Sequence, residues 1–260
     1  MGATVTVHFV GAGPGAADLL TVRATRMLAA ADVVLYPGTY LDPGVLSHCA
    51  PGAELVDTQG LDLDRITEHL VAAHDGGRDT VRLTSGDPSL YSALAEQTRR
   101  LDAHGVPWDV TPGVPAYAAA AALAGRELTV PLVAQSVVLT RTRARSTAMP
   151  ATESLSAFAA TRATLVLHLA IRRVRELMAE VGPEYGADCP VVVVHRASQP
   201  GEEVLRGTVA TIADAVEEAG LRQAAVVLVG WALDPAGGGE SFLYDPARPR
   251  VSDRGPGTTG

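Results

Sequence analysis

The sequence predicts an α/β protein, organised as two consecutive α/β domains. Three observations carry that expectation. Short, wholly apolar runs such as Val33-Val34-Leu35-Tyr36 read as strands of a parallel sheet covered on both faces. Longer segments between them place apolar residues on one helical face, giving the strand–helix alternation of α/β architecture. Glycine- and proline-punctuated junctions follow the strand-like runs, at Gly11-Ala12-Gly13-Pro14-Gly15, Tyr36-Pro37-Gly38, Thr84-Ser85-Gly86-Asp87-Pro88 and Thr111-Pro112-Gly113-Val114. In an open α/β sheet ligands sit outside the carboxyl ends of the strands, where these junctions would gather.

Taken in order, Val5–Val10 alternates and ends at Gly11, reading as a first, central strand. Asp18 is placed to cap a helix over Leu19–Ala31. Val33–Tyr36 is the second strand, and a short helix over Pro43–His48 and a strand at Glu54–Val56 come next. A helix over Asp64–Ala73 carries Ile66 and Leu70 on one face and stops at Gly76-Gly77, with Asp62 and Asp64 as its capping and dipole partners. Thr80–Leu83 is a strand leading into the Gly86-Asp87-Pro88 junction. Gly86 allows a sharp turn, Pro88 pushes Asp87 toward an extended conformation, and Asp87 or Ser89 can cap a helix carrying Leu90, Leu94 and Leu101. After Gly105 come a strand at Trp108–Val110 and an alanine-dense helix from Pro115 to Ala124, ending at Gly125.

Past Gly125 the rhythm changes. Leu128–Val133 reads as an extended crossing, which places the domains at 1–130 and 131–248 and leaves 249–260 as a disordered tail rich in Gly, Ser, Thr and Pro. The second domain has predicted strands at Val137–Thr140, Leu165–Leu169, Val191–His195 and Val226–Val229, with helices around Val174–Val181 and Ile212–Ala219. Val204–Arg206 and Phe242–Tyr244 suggest hairpin or edge pairing.

A formal net charge of −8 argues against nucleic acid as a partner, since phosphate neutralisation needs clustered Lys and Arg. No leader pattern opens the chain and no apolar run is long enough to span a bilayer, so the expectation is a cytoplasmic protein with no membrane partner. Cys49 and Cys189 suggest neither a disulfide framework nor a zinc site and read as buried small hydrophobes. His69 and His74, five apart, do not share a helical face, and no metal site is expected. His168 and His195 fall at the ends of apolar strands, where a cleft would open. Arg141, Arg143 and Arg145 alternate in one segment and Arg172 and Arg173 follow a strand; such clusters either face solvent or hold a small polyanion.

Gly11-x-Gly13-x-x-Ala16 fits a relaxed dinucleotide fingerprint, yet two features oppose that reading. Pro14 removes an N–H that would face a pyrophosphate, and the second strand ends Leu35-Tyr36-Pro37 with no acid to hold a ribose. The tight turn can instead bring backbone close to a different ligand.

Read jointly, Val10–Gly15, Asp18-Leu19-Leu20-Thr21, Leu35-Tyr36-x-Gly38, Ser85-Gly86-Asp87-Pro88, Thr111–Val114, Gln135–Arg141, Arg196-Ala197-Ser198, Arg206-Gly207-Thr208 and Gly230–Leu233 resemble the tetrapyrrole methylase family. Its members are S-adenosylmethionine-dependent enzymes that methylate corrin and sirohaem precursors. The resemblance spans about residues 5 to 245, and the Gly86–Tyr91 and Leu139–Arg141 segments resemble the branch acting at ring carbon C-11 in cobalamin synthesis. It implies a homodimer with S-adenosylmethionine in a trough between the two domains and a tetrapyrrole as substrate. Cofactor contact is carried by position onto Pro14, Ser85, Gly86, Asp87, Tyr91, Pro115, Ala116, Leu169, Ala197 and Ala225. Arg141 and Arg145 are the implied clamps for substrate carboxylates, and Asp87 the implied polar group beside cofactor or ring. Tyr36-Pro37-Gly38-Thr39-Tyr40 and Ser92 depart from the family's usual residues. The rival readings are another ring carbon, a cobalt-loaded substrate, or a sensor that binds without turnover.

Overall fold

The structure is a computed structural model and describes residues 5–38, 41–141 and 149–241. Phe242–Tyr244, the tail, Arg143 and Arg145 lie outside the described residues. The chain divides into two units. The first holds residues up to Ala124 with Val193–Leu205 and Leu221–Val226; the second holds Gly125–Val192, Arg206–Gly220 and residues from Val227 onward.

The first sheet comprises β1 (Val7–Gly11), β2 (Val33–Tyr36), β3 (Glu54–Asp57), β4 (Thr80–Thr84) and β5 (Trp108–Thr111), in the order β3-β2-β4-β1-β5. Every pairing is parallel. The middle strand is therefore β4, with β1 beside it. Alternate residues of the apolar runs leave the sheet on opposite faces. Val7, Phe9, Val33 and Leu35 pack with Ile66 and Leu70 of one helix and Leu101 of another. Val10, Val34, Val81 and Leu83 pack with Ala24 and Leu28 on the other face. The helices concerned are α1 (Val22–Ala30), α3 (Leu63–Asp75) and α4 (Leu94–Ala103); α2 (Pro43–Leu46) and α5 (Ala116–Ala124) complete the set. Each Leu or Phe fully buried in these layers contributes about 1.5–3 kcal/mol.

The second sheet has the order β6-β7-β10-β8-β9, from β6 (Val137–Arg141), β7 (Thr164–His168), β8 (Pro190–His195), β9 (Glu203–Thr208) and β10 (Ala225–Val229). It is mixed: β6 pairs parallel with β7, and β10 antiparallel. The remaining helices are α6 (Leu155–Ala159), α7 (Val174–Tyr185) and α8 (Ile212–Glu218). One turn of helix, α6, gives no periodic signal in sequence; it is marked only by Ser154, whose side chain accepts from the Ala157 N–H at 3.1 Å.

Local sequence signals mislead at four places. Asp18 does not cap a long helix. It lies in a 3-10 turn, Ala17–Leu19, after which Leu20 and Thr21 are extended and Thr21 caps α1 by accepting from the Ala24 N–H at 3.1 Å. Neither Asp87 nor Ser89 caps the next helix, and Leu90 is not on it. That helix, α4, starts at Leu94 behind a left-handed Ala93 with no side-chain cap. Leu128–Val133 is a turn closed by the Val130–Ala134 bridge, with Leu132 left-handed, rather than an extended crossing. Cys49 is only half-buried, unlike Cys189. By contrast Asp62 does cap α3, accepting from the Arg65 N–H at 2.9 Å.

The cap assignment is testable by urea unfolding. Thr21→Ala should cost about 1 kcal/mol, and Asp18→Ala should stay within about 0.5 kcal/mol of the parent.

Candidate functional site

The chain leaves β1 for α1 on one face of the first sheet and leaves β4 for α4 on the other. These two strands are neighbours, so their carboxyl ends mark the switch point where an open α/β sheet forms a crevice. The two exit loops are stitched together there. Gly13 donates to the Gly86 carbonyl at 3.1 Å, Gly86 donates to the Gly13 carbonyl at 2.7 Å, and Ala12 donates to the Thr84 carbonyl at 2.8 Å. Gly13 and Gly86 have φ of 74° and 69°, conformations a side chain resists.

The loop after β5 joins them. A Cβ on Gly11 would stand 2.5 Å from the Gly113 nitrogen and 2.7 Å from the Gly86 carbonyl oxygen, and a Cβ on Gly113 would collide with that same oxygen. Three backbones therefore meet with no side chain between them. Asp87 braces the junction. One carboxylate oxygen accepts from the Gly113 N–H at 2.9 Å; the other accepts from the Ser89 N–H at 2.8 Å and from the Ser89 hydroxyl. Partial burial pushes the Asp87 carboxyl up, but these hydrogen bonds outweigh it and hold the group below the ordinary aspartate value. Gly86 also lies against the start of α5, where a Cβ would meet the Ala116 nitrogen and Pro115 Cα at 3.6 and 3.7 Å. The Ala116 N–H, in the first turn, has no intrahelical acceptor.

A fourth loop, after β8, clasps the first. The Ser198 hydroxyl accepts from the Ala16 N–H at 3.2 Å, the Gln199 side-chain amide donates to the Pro14 carbonyl at 2.8 Å, and the Gln199 stem fills the place of a Gly15 side chain. Glu202 holds the Ser198 N–H at 2.9 Å, and the Arg196 N–H donates to the Ala224 carbonyl at 2.7 Å. Ala197, buried, precedes the Ser198 and Gln199 that clasp the Pro14 loop, and half-buried Ala225 follows the Ala224 that holds the Arg196 N–H. Gln199 and Glu202 carry no sequence signal; a polar residue after Arg196-Ala197-Ser198 is ordinary until the space above Gly15 is seen to need its volume.

Of the ten residues carried over as cofactor contacts, nine thus belong to the first unit: Pro14, Ser85, Gly86, Asp87, Tyr91, Pro115, Ala116, Ala197 and Ala225. Leu169 belongs to the second, directly after β7, 67% exposed and left-handed. Tyr91 is also left-handed and exposed. Arg141 ends β6 in register with His168 and lines a cavity of about 420 Å³ in the second unit, with Arg173, Glu153 and Glu180 among the lining residues. Arg173 is paired with Glu176 at 2.7 Å. Arg145 lies outside the described residues. Burial lowers the His168 pKa, and burial with the Arg196 charge lowers that of His195, so both are neutral at pH 7. Burial raises the Cys189 thiol to about 12, which leaves it inert.

The family model for Tetrapyrrole (Corrin/Porphyrin) Methylases matches residues 6–213. The chain belongs to the tetrapyrrole methylase family. It is 52% identical over 248 residues to a precorrin-4 C(11)-methyltransferase of Rhodococcus erythropolis, covering 95% of this chain and all of that one. The solved structure of a cobalt precorrin-4 methyltransferase of cobalamin biosynthesis superposes with a TM-score of 0.87 at 37% identity, over 90% of this chain and 98% of the other. A uroporphyrin-III C-methyltransferase from Thermus thermophilus, complexed with S-adenosyl homocysteine, gives 0.74 at 30% identity, over 88% and 93%. The two-sheet α/β fold expected from the sequence is thus the fold of this family.

The glycine crossing predicts a steep local intolerance. Gly113→Ala should cost about 1–3 kcal/mol by overpacking, whereas Gly52→Ala, with nothing within 4 Å of its added methyl, should change stability by under about 0.5 kcal/mol. Calorimetric unfolding of the two variants makes the comparison.

Proposed function

We propose that this chain is an S-adenosylmethionine-dependent methyltransferase that methylates C-11 of precorrin-4, giving precorrin-5, in cobalamin biosynthesis. The observation that carries this reading is the 52% identity across the full length of a relative bearing that name. The site's chemistry supports it. Gly86, Ala116, Ala197 and Ala225 are small and uncharged, Ser85 presents an exposed hydroxyl, and the Ala116 N–H lacks an intrahelical acceptor. Such a lining suits a phosphate-free ligand with an adenine and an amino-acid end. It also explains why Pro14 is tolerated in the first loop, since no pyrophosphate needs its missing N–H.

When bound, S-adenosylmethionine would supply an electrophilic sulfonium methyl to the ring carbon by in-line displacement, with the methyl–sulfur bond breaking and S-adenosylhomocysteine as the leaving group. That displacement needs alignment more than proton transfer. Residues Gly13, Gly86 and Gly113 fix the backbone, Asp87 braces it, and Ser198 and Gln199 hold the first loop against it. Arg141 is the proposed clamp for a substrate carboxylate, a role its fork of donors suits. We infer a homodimer, as the family resemblance implies, and a cytoplasmic location, as the sequence pattern suggests; no helix among the described residues is long and apolar enough to cross a membrane.

The decisive experiment supplies the purified protein with precorrin-4 and methyl-labelled S-adenosylmethionine and records the carbon-13 spectrum of the product. One new methyl resonance at C-11 is the expected result; label at another carbon overturns the regiochemistry, and label appearing only with cobalt-loaded substrate reassigns the substrate. The clamp is tested separately. Arg141→Met should raise KM for the tetrapyrrole roughly tenfold with KM for S-adenosylmethionine unchanged, and Arg141→Lys should recover part of the loss.

A further inference from the structure

A charged side chain lies within the apolar layer of the first unit. Arg82 of β4 is in register with Phe9 and Leu35, on the face covered by α3 and α4, and is 8% exposed. Its partners are all neutral: Nε donates to the Gln97 side-chain oxygen at 3.1 Å, and Nη1 donates to the Thr58 hydroxyl at 3.2 Å and to the Leu83 carbonyl at 3.0 Å. Burial pulls its pKa down to about 10, which leaves it cationic at pH 7. A buried cation without a carboxylate partner is a costly way to fill a core.

What this cation does is visible one residue further on. An arginine can only donate, so it fixes which end of the Gln97 amide faces it. The oxygen is turned to Arg82, and the amide nitrogen is left to donate to the Ser92 and Ala93 carbonyls, each at 3.2 Å. These carbonyls belong to the segment 88–93, the latter part of the connection from β4 to α4. Tyr91 and Ala93 in that segment are left-handed at φ of 53° and 55°, and α4 has no side-chain cap. Left-handed non-glycine residues persist only where their surroundings hold them.

We propose that Arg82 and Gln97 form a buried positioning relay that holds the 88–93 segment in its strained shape, and so sets Tyr91 and the Gly86–Asp87 turn for the cofactor. The relay rests on the S-adenosylmethionine reading of that turn. Arg82 is anchored by the middle strand of the sheet; Gln97 is anchored by α4 and transmits the orientation to the loop. Thr58 extends the same network, since its hydroxyl donates to the Tyr36 carbonyl at 3.1 Å at the end of β2.

The test separates loop positioning from core stability. Gln97→Glu keeps an acceptor for Arg82 and supplies the missing counter-charge, but it sets a carboxylate against two carbonyls. It should therefore stay folded, weaken S-adenosylhomocysteine binding in calorimetry roughly tenfold, and speed amide hydrogen exchange over 88–93 in the ligand-free protein. Arg82→Met, which frees the amide to turn over, should shift both readouts the same way, and Arg82→Lys should recover part of the affinity. Wild-type affinity and wild-type exchange in both Gln97→Glu and Arg82→Met would overturn the relay while leaving the cofactor reading intact. Wild-type protein that binds no S-adenosylhomocysteine overturns the cofactor reading, and the ligand half of the relay with it.

Discussion

The meeting of three backbones at the carboxyl ends of β1, β4 and β5 is the constraint on which the candidate site depends. Gly11, Gly86 and Gly113 approach so closely that any Cβ at Gly11 or Gly113 would overlap a neighbouring main chain. Backbone amides and carbonyls, rather than side chains, therefore form the floor of the crevice. Backbone hydrogen bonds tie the β1 loop to the β4 loop, and the Asp87 carboxylate ties the β4 loop to the Gly113 N–H of the β5 loop. A site built this way gives up side-chain chemistry at its floor and gains fixed geometry. That trade suits a reaction whose barrier is lowered mainly by alignment.

Strain accumulates around this floor. Tyr91, Ala93, Arg196, Ser198 and Ala224 in the first unit are left-handed without being glycine, at a cost of order 1–3 kcal/mol each. Each lies within two residues of a position carried over as a cofactor contact, and most are tied down by a specific bond. Arg196 N–H reaches the Ala224 carbonyl, Ser198 is held through both its N–H and its hydroxyl, and the Ala93 carbonyl is held by Gln97. Ordinary loops relax such conformations away. Their persistence here reflects the polar side chains Gln97, Ser198 and Gln199, which are committed to carbonyls and amides of the loops.

This also explains what could be read from the sequence. The strands, the parallel first sheet and the glycine junctions were legible because periodicity and Gly/Pro punctuation are local signals. The cap of α1 was not: both Asp18 and Thr21 are good capping residues, and the 3-10 turn between them is decided by packing of the loop. The start of α4 was misplaced for a related reason. Pro88 and Ser89 look like a helix start, but Asp87 commits its carboxylate to Ser89 and Gly113, which closes a turn and delays the helix to Leu94. Gln199 could not be singled out at all, because its role is to fill space above Gly15, some 180 residues away in the chain. Arg82 was hidden in plain view as one charge within an apolar run.

The geometry of Asp87 bears directly on mechanism. A carboxylate whose pKa is lowered by three hydrogen bonds is a weaker base than a free one, so it is poorly matched to proton abstraction near neutral pH. The same three bonds make it a stiff tether between the β4 and β5 loops. His168 and His195, the other candidates at strand ends, are kept neutral by environments that disfavour the imidazolium form, which makes them poor acids at pH 7. Asp87 is thus a weakened base and the two histidines are poor acids, while the glycines, Asp87 and Gln199 are all engaged in holding backbone. An enzyme organised in this manner would owe its rate to where it places an electrophilic methyl relative to a ring carbon, which is alignment rather than acid–base chemistry.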